Sequence, residues 1–411
     1  MERGRDGIDM SAEKIKKWLI FGGFMILLVV AGGCGSEPWT PLDVPADTGW
    51  DTMEADQGIC DDIAEVYREI YADAGRADMI LDLETMKKLL SRLGEKGYVA
   101  VDSENQIDMV GADQVRVFCG AVDAQEDAEL TIIEAIYTGG FRKYDLQAKD
   151  GKVDVTRGYY EYGEDGVLKN ISTVSYLADF WQYTEEGYLL FEGNYYSEES
   201  YVLTLSDVPE RTALRVQPLD EECRELNRKY ILPVGYQQNN MFLVDWAEEG
   251  FGELDFYDLF DAFYPLLYNQ PVPYTMGAEL GENVIYRIAK NEFENVISAY
   301  FNVDSKGLQS RTAYLPEDKI YEYRPRGFGD AEYPDIPYPE VVSYTKRDDG
   351  VIELTVNAVY RNDNTSKAFS HKVVVRTLED GSFQYVSNRM IFPEDGYDAW
   401  WHSDRSKIRE K

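Results

Sequence analysis

Histidine and cysteine, which carry much of the nucleophilic and metal chemistry of proteins, are scarce in this chain. Among 411 residues there are 2 histidines and 4 cysteines. A Ser-His-Asp or Cys-His mechanism would have to use His371 or His402, and no GxSxG element presents a serine to either. His371 alternates with Val373 and Val375, which is typical of a packed or edge residue in a strand. We therefore assign no catalytic residue from the sequence.

Short motifs for nucleotides and metal ions are missing as well. No GxGxxG opens a helix after a strand and no GxxxxGK[ST] occurs, so no nucleotide cofactor is predicted. The EF-hand pattern is absent, and no CxxC or CxxH pair is present to hold a structural zinc ion. The sequence predicts neither a cofactor nor a metal site.

Positive charge is also in short supply. The chain has 41 basic and 76 acidic residues, a net charge of −35 and a pI near 4.4. Such a surface repels phosphate backbones and anionic headgroups, which argues against nucleic acid as a partner. Solubility on a crowded cell surface is the simplest interpretation, and a basic partner or weakly held cations are the alternatives.

The cysteines do not form a disulfide framework. After Cys34 only Cys60, Cys119 and Cys223 follow, an odd number, so at least one is unpaired unless it bonds another chain. Three buried, inert thiols are the leading interpretation, and a single bridge is the alternative.

One long apolar run is present, from Trp18 to Cys34. It follows Lys14, Lys16 and Lys17 and ends in the small residues Ala31-Gly32-Gly33, the pattern of an export signal. The segment Ala31-Gly32-Gly33-Cys34-Gly35 resembles the lipobox of bacterial lipoproteins. That resemblance implies acylation of Cys34, which becomes the mature N-terminus, and attachment to the extracytoplasmic side of the cell membrane. An uncleaved transmembrane helix is the alternative, and translation can start at Met1 or Met10.

The sequence divides into five predicted regions. Composition changes after the apolar run and again after the proline-containing stretch that follows it, which favours a flexible tether. The predicted regions are a signal peptide (1–33), a lipid-anchored tether (34–53), an N-terminal α+β domain (54–250), a C-terminal α+β domain (251–395) and a tail (396–411).

The N-terminal domain begins with two predicted helices. Apolar residues repeat at three and four between Ile59 and Tyr71. In the second helix Asp82 is the predicted N-cap, and Gly94 marks the expected C-terminal end.

A period-two pattern follows and predicts an antiparallel meander, with the two helices on one face. Its tyrosine-rich strands suit packing on a pleated surface, and an exposed aromatic strip that stacks on sugars or peptides is the alternative. The predicted strands are 113–119, 128–138, 141–148, 152–162, 174–184, 188–196 and 200–205.

The middle of the chain yields four further predictions. Glu221 to Tyr230 is a short helix and Met241 to Trp246 a strand. A helix with a buried stripe from Phe256 to Leu267 carries Asp255, Asp258 and Asp261 on its other side. We expect that acidic row to be a solvated face, although such carboxylates could share a cation. Pro265 should kink or end that helix.

The C-terminal domain continues with a helix predicted from Val284 to Phe301. A hairpin series with predicted strands 340–347, 351–361, 369–378 and 383–391 follows. Two helices followed by a curved antiparallel sheet resemble the cystatin-like and nuclear-transport-factor-like α+β folds, a likeness of element order alone. The basic tail either docks on the acidic body or frays, and we expect fraying past Asp404.

Three functional hypotheses follow from these patterns. The chain resembles an uncharacterised family of lipoproteins of anaerobic Gram-positive bacteria, most distinctively in LGEKGYVAVDSENQIDM at Leu93 to Met109. This implies a membrane-anchored binding or assembly protein, non-enzymatic, whose partner is a cell-surface protein or glycan. A carboxylate-based hydrolase such as a glycosidase is the alternative, with Asp245 and Glu248 as the first candidates. A solute-binding receptor is the second alternative, although its strand-helix alternation is missing.

Overall fold

Helices pack on both faces of the sheet in the N-terminal half of the protein. A computed structural model describes residues 60–70, 82–162, 168–195, 209–272, 285–324, 326 and 335–405. The predicted signal peptide, Cys34, the tether and the strand at 200–205 lie outside the described residues. Helix α1 (residues 60–70) is followed by α2 (Leu83–Glu95), and Asp82 caps α2 as predicted, since its carboxylate accepts from the Thr85 N–H.

Gly94 does not end α2, which continues to Glu95. A Cβ at Gly94 would lie 2.2 Å from Cγ1 of Val110, so this glycine permits close packing. The left-handed conformation that follows the helix is adopted by Gly97, with φ at 93°.

Sheet A contains the strands predicted at 128–138, 141–148 and 152–162 with small shifts of their ends, whereas the strand predicted at 174–184 is divided between sheet A and a second sheet, B. Its strand order is β1-β2-β3-β4-β5, with β1 parallel to β2 and the other pairs antiparallel. The strands are β1 (Val99–Asp102), β2 (Ala128–Ala135), β3 (Phe141–Lys149), β4 (Lys152–Tyr162) and β5 (Leu168–Leu177).

The strand predicted at 113–119 is wrong, because these residues belong to helix α3 (Ala112–Ala124). Val115, Phe118 and Val122 are buried at helical spacing, whereas Val117, which a strand would place beside Val115, is 73% exposed. The period-two pattern here was coincidental. Helix α3 forms the crossover that makes β1 and β2 parallel.

Sheet A separates two apolar layers. Ala100 and Ile133 face α1 and α2, whereas their neighbours Val99 and Ile132 face α3 and sheet B. Sheet B has the order β6-β7-β8, from β6 (Phe180–Tyr183), β7 (Tyr188–Gly193) and β8 (Glu210–Arg215).

Strand β7 is covered on both faces. Leu189 and Phe191 pack toward sheet A, whereas Tyr188 and Leu190 pack against Val359 of the C-terminal sheet. A strand buried on both sides is uniformly apolar, as YLLF in β7 is.

The C-terminal half contains the predicted hairpin series. Sheet C has the order β13-β14-β15-β16-β9 and is antiparallel. Its strands are β9 (Trp246–Ala247), β13 (Tyr338–Lys346), β14 (Val351–Tyr360), β15 (Thr365–Thr377) and β16 (Phe383–Ile391). Only the end of the strand predicted at Met241–Trp246 forms, as β9, because residues 241–244 turn.

Four helices accompany this sheet. They are α4 (Glu221–Leu226), which a π turn extends over Asn227–Ile231, α5 (Phe256–Tyr268), α6 (Lys290–Tyr300) and α7 (Ser305–Gln309). Pro265 lies inside α5 near its end. The helix predicted from Val284 begins only at Lys290, because Tyr286–Ala289 forms β10 and pairs with β12 (Ile320–Tyr323), which also pairs with β11 (Ala313–Leu315).

The predicted α+β class is confirmed. The core of the C-terminal half takes in residues from Cys223 to Trp401, and the core between sheets A and B ends at Val216. The domain boundary predicted at residue 250 stays a prediction, since Gly58–Lys411 forms one compact unit.

Candidate binding cleft

Sheets A and B face each other across a layer whose character changes along the strands. At one end Ile132, Val155 and Leu214 form a buried apolar contact. Two residues further along each strand, the same faces carry Glu134, Arg157 and Thr212. Side chains two apart in a strand share a face, so the apolar core opens at this end into a polar cleft.

This cleft, which we name the arginine cleft, has a volume of about 480 Å³. Its walls come from β2, β3, β4, β8, the loop after β1 and the two ends of the β13–β14 hairpin. The lining residues include Glu104, Glu134, Arg142, Tyr144, Arg157, Tyr195, Glu210, Arg211, Thr212, Asp335, Tyr338, Arg361 and Asn362.

The positive charges of the lining are all arginines, and each is paired with a carboxylate. The N···O distances are 3.0 Å for Arg142–Glu134, 2.7 Å for Arg157–Glu210, 2.5 Å for Arg211–Glu192 and 2.8 Å for Arg361–Asp335. Among the described lining residues there are four arginines and four acids, in a chain with a net charge of −35. The arginine cleft is therefore locally neutral.

Strand register explains the innermost pair. Glu134 of β2 lies opposite Arg142 of β3, and cross-strand neighbours of opposite charge attract. Tyr144 also donates to Glu134 at 2.9 Å, and burial raises the pKa of Tyr144 well above its usual range, which keeps its proton in place. Glu134 is thus held by two donors.

The pair between Arg157 and Glu210 connects the two sheets, from β4 to β8. In the part of the chain that the structure describes, the buried Nε of Arg157 has no hydrogen-bond partner. The buried hydroxyl of Tyr176 is hydrogen-bonded to Thr212; burial raises its pKa, and the charges of Glu210 and Arg157 also act on it, so Tyr176 lies near this pair. An unsatisfied buried donor is costly, and a polar ligand in the cleft would satisfy the one on Arg157.

The turn after β1, which forms part of the cleft wall, is held by a buried carboxylate. Asp102 is buried and accepts the backbone N–H groups of Gln106 at 2.8 Å and Ile107 at 2.9 Å. Glu104 lies in this turn and lines the cleft, and its pKa is raised by burial and by the charge of Asp102. Because Asp102 is occupied by backbone donors, it holds the loop in shape.

A buried ion pair supports the wall behind the cleft. Arg215 of β8 lies 2.5 Å from Glu340 of β13, and Tyr188 of β7 donates to the same carboxylate at 2.8 Å. Burial raises the pKa of Glu340, and the charge of Arg215 opposes that shift. These contacts fix the strand that carries Tyr338 relative to sheet B.

The acids named from the sequence as hydrolase candidates lie elsewhere. Glu248 pairs with Arg376 at 2.9 Å, and the hydrogen bond from that arginine lowers the pKa of Glu248, which disfavours it as a general acid. Asp245 is exposed and accepts the Met390 N–H at 2.6 Å. Neither lines the arginine cleft.

The predicted packed histidine is found where expected. His371 is fully buried, with its ring nitrogens 3.0 Å from the Tyr236 hydroxyl and 2.8 Å from Oδ1 of Asn388. Burial lowers its pKa to about 4, and the hydrogen bond to Asn388 offsets part of that shift. It is a core residue.

The acidic row of α5 is not a solvated face, which corrects the expectation. Asp255 caps the helix, and Asp258 is only 2% exposed. Asp258 accepts from Arg326 at 2.8 Å and from Arg405 at 2.7 Å, and Arg405 also pairs with Asp261. We name this group the tail cluster.

The tail therefore docks through Arg405, and the expectation of fraying past Asp404 is wrong for that residue. Arg405 also donates to the carbonyl of Arg324 at 2.6 Å. The spacing of Asp255, Asp258 and Asp261 predicted that these acids lie on one side of the helix. It could not predict the arginines that pair with them, because those arginines are distant in sequence. Residues after 405 lie outside the described part.

The cysteines are buried as predicted. Cys119 and Cys223 are reduced thiols whose pKa burial raises to about 11, and Cys60 is buried among the residues of α1 and α2. High pKa values leave little reactive thiolate.

The described ranges contain neither a cluster of metal ligands nor a helix that could span a membrane. Within residues 60–70, 82–162 and the later described segments, no group of three or more His, Cys, Asp or Glu side chains is arranged to hold a metal ion. No helix in those segments has the length and hydrophobicity needed to cross a bilayer.

The arginine cleft itself was missed from the sequence, although one signal was present. Arg142 and Tyr144 share a strand face with Leu146, and Arg157 shares one with Val155. A charged residue that continues an apolar face indicates a core that opens into a site.

Together these features describe an α+β protein with a neutral polar cleft between two sheets. The model of a family of unknown function, DUF6070, matches residues 53–405, and the chain belongs to that family. No curated protein matches the sequence, and no solved structure matches it either.

Proposed function

We propose that this protein is a lipid-anchored, extracytoplasmic and non-enzymatic binding protein whose arginine cleft takes a small polar ligand. The observation that carries the proposal is the pairing of the cleft arginines with acids around an open volume of about 480 Å³. That volume lies in the range of small-molecule sites. Fixed donors and acceptors of this kind recognise a ligand without performing chemistry on it.

Binding is favoured over hydrolysis because three of the four acids that line the cleft, Glu134, Glu210 and Asp335, already hold arginines. Glycoside hydrolysis needs one carboxylic acid and one free carboxylate across the scissile bond. Glu134 and Glu210, which could face a ligand, each hold an arginine. Freeing either would leave a partly buried charge unpaired, at a cost of about 1–3 kcal/mol.

The lipid anchor rests on the sequence of the first 35 residues. Three lysines, an apolar run and Ala31-Gly32-Gly33-Cys34 support export followed by acylation of Cys34. Cys34→Ser should abolish incorporation of an alkyne-tagged palmitate in the native host, whereas Cys119→Ala should keep it. Equal labelling of the Cys34→Ser protein would contradict the anchor.

The ligand can be tested without knowing its identity. Protein purified from envelopes of its own host should carry a bound small molecule, seen by native mass spectrometry as a mass lost on denaturation. Asn362→Trp fills the rim of the arginine cleft and should abolish that mass, whereas Asn295→Trp, exposed on α6, should keep it. A bound mass that survives Asn362→Trp, or none in the unaltered protein, would contradict the proposed cleft.

A hydrolase is the second candidate, and Glu104 is the observation that favours it. Its raised pKa is a property of general acids. Turnover of fluorogenic glycosides that Glu104→Gln abolishes would support this candidate. Activity equal in the variant would exclude Glu104 as its acid.

A further inference from the structure

The charge balance of the arginine cleft constrains what it can bind. Each arginine of the described lining already has a carboxylate partner, from Arg142 with Glu134 inside to Arg361 with Asp335 at the rim. An anionic ligand would be repelled by those carboxylates, and a cationic ligand would be repelled by the arginines. A ligand without net charge leaves the pairs intact.

The paired side chains still offer hydrogen bonds in both directions. An arginine has five N–H donors and a carboxylate about four acceptor positions, so a single pair leaves several unused. The buried Nε of Arg157 is one such donor, with no hydrogen-bond partner among the described residues. A hydroxyl group both donates and accepts, so an array of hydroxyls fits this lining best.

Aromatic rings stand beside these polar groups. Tyr195 lines the arginine cleft. Trp400 is 47% exposed, and its ring centroid lies 6.1 Å from that of Tyr360. Trp400 also donates a hydrogen bond to Asp363. The charge of Arg211 acts on the pKa of Asp363, so Arg211 lies near this pair. The exposed tryptophan therefore lies close to the rim formed by Arg211 and Arg361.

We infer that the ligand of the arginine cleft is an uncharged saccharide, with its hydroxyls on the arginine–carboxylate pairs and a sugar ring against Trp400 at the rim. This inference rests on the proposed binding function and names its ligand class. Sugar rings have a polar edge of hydroxyls and a less polar face of C–H groups, and the cleft presents both kinds of surface. A phosphorylated or sulfated sugar would disturb the pairs and is disfavoured.

The test is binding to a glycan array of uncharged and anionic oligosaccharides. The uncharged oligosaccharide that binds most tightly is then measured by isothermal titration calorimetry. We expect binding that changes less than about twofold between about 50 mM and about 500 mM salt, because no net charge is involved. Arg157→Lys and Arg361→Lys keep the charge but lose the planar fork, and each should raise Kd about tenfold. Trp400→Ala should raise it about threefold to tenfold.

Arg287→Lys is the matched control, because Arg287 forms an exposed pair with Glu322 away from the cleft. Arg361 lies at the rim with half its side chain exposed, so its variant folds even if Arg157→Lys does not. Unchanged Kd in Arg361→Lys would overturn the inference.

The remaining outcomes distinguish a failure of the saccharide ligand from a failure of the proposed binding function. Binding of anionic glycans alone, with Kd rising steeply with salt, overturns the uncharged ligand. If no glycan binds while the host-purified protein carries a ligand that Asn362→Trp removes, the saccharide is wrong and the binding function stands. If neither is seen, both fail.

Discussion

The arginine cleft and the tail cluster use the same chemistry to different ends. In the cleft, Arg157 and Glu210 keep 14% and 26% of their side chains exposed and border an open volume. In the tail cluster, Arg405 and Asp258 are sealed at 4% and 2% and close the C-terminal segment onto α5. A guanidinium–carboxylate pair that is fully enclosed fixes the chain, whereas one that borders solvent leaves donors and acceptors for a ligand.

Breaking the tail cluster should have the largest effect on stability. Asp258→Ala leaves Arg326 and Arg405 buried without their shared partner, and removing one member of a buried pair costs about 3–5 kcal/mol. Urea denaturation should show this loss, and Asp398→Ala, exposed in the same C-terminal region, should change the free energy of unfolding by less than about 0.5 kcal/mol. A loss below about 1 kcal/mol for Asp258→Ala would show that the cluster does not fix the tail.

Lowering the pH should decrease the stability of the C-terminal core, because this core contains a buried histidine that is neutral in the folded protein. The pKa of His371 is about 4 in the folded protein and about 6.5 when unfolded. The unfolded chain therefore takes up a proton first, so stability is complete above about pH 6.5 and falls as the pH drops toward about 4. The difference corresponds to about 3 kcal/mol.

The check is urea denaturation at pH 7 and pH 4 of the unaltered protein and of His371→Gln. Carboxylates titrate in both proteins, so their common part cancels. The variant should lose about 3 kcal/mol less between the two pH values. Parallel losses would show that His371 is not responsible.

Within the arginine cleft, Glu134→Gln should cost less than the tail substitution. Arg142 retains partial exposure and can turn to water, and the Gln amide still accepts from Tyr144, so we expect about 1–3 kcal/mol. Chemical denaturation measures it. A loss as large as that of Asp258→Ala would mean that the cleft pairs serve stability in the same way as the tail cluster.

The smallest effect is expected at the rim. Arg361→Ala removes an exposed pair with Asp335, and such pairs contribute about 0–1 kcal/mol. The melting temperature should barely change, while ligand binding weakens. A large drop in melting temperature would assign Arg361 to the scaffold instead of the binding surface.

Local pattern predicted much of the fold and little of the cleft. Asp82 at the start of α2 and the strand predicted at 351–361 depend on neighbours in sequence, and both predictions are confirmed. Helix α3 was missed because Val115, Val117 and Cys119 satisfy a strand pattern by chance, and only the packed structure shows Val117 outside. The predicted start of α6 was too early, because Tyr286–Ala289 pairs with β12 in a sheet and is not helical.

Distant pairing was the other source of error. Asp258 appeared solvated because its partners, Arg326 and Arg405, lie 68 and 147 residues away. The cleft arginines pair across strands whose register no local pattern specifies. The family match covers these residues but carries no function with it.

The double coverage of β7 has a consequence for how the molecule is made. The buried acceptor of Tyr188, Glu340, lies 152 residues later in the chain. During synthesis from the N-terminus, one face of β7 therefore stays uncovered until β13 and β14 have been made. A fragment that stops near residue 250 would expose Tyr188 and Leu190 and leave Arg215 without its carboxylate. The N-terminal and C-terminal halves therefore depend on each other's contacts to fold. We expect the two halves, when they are produced separately, to aggregate instead of folding as independent domains.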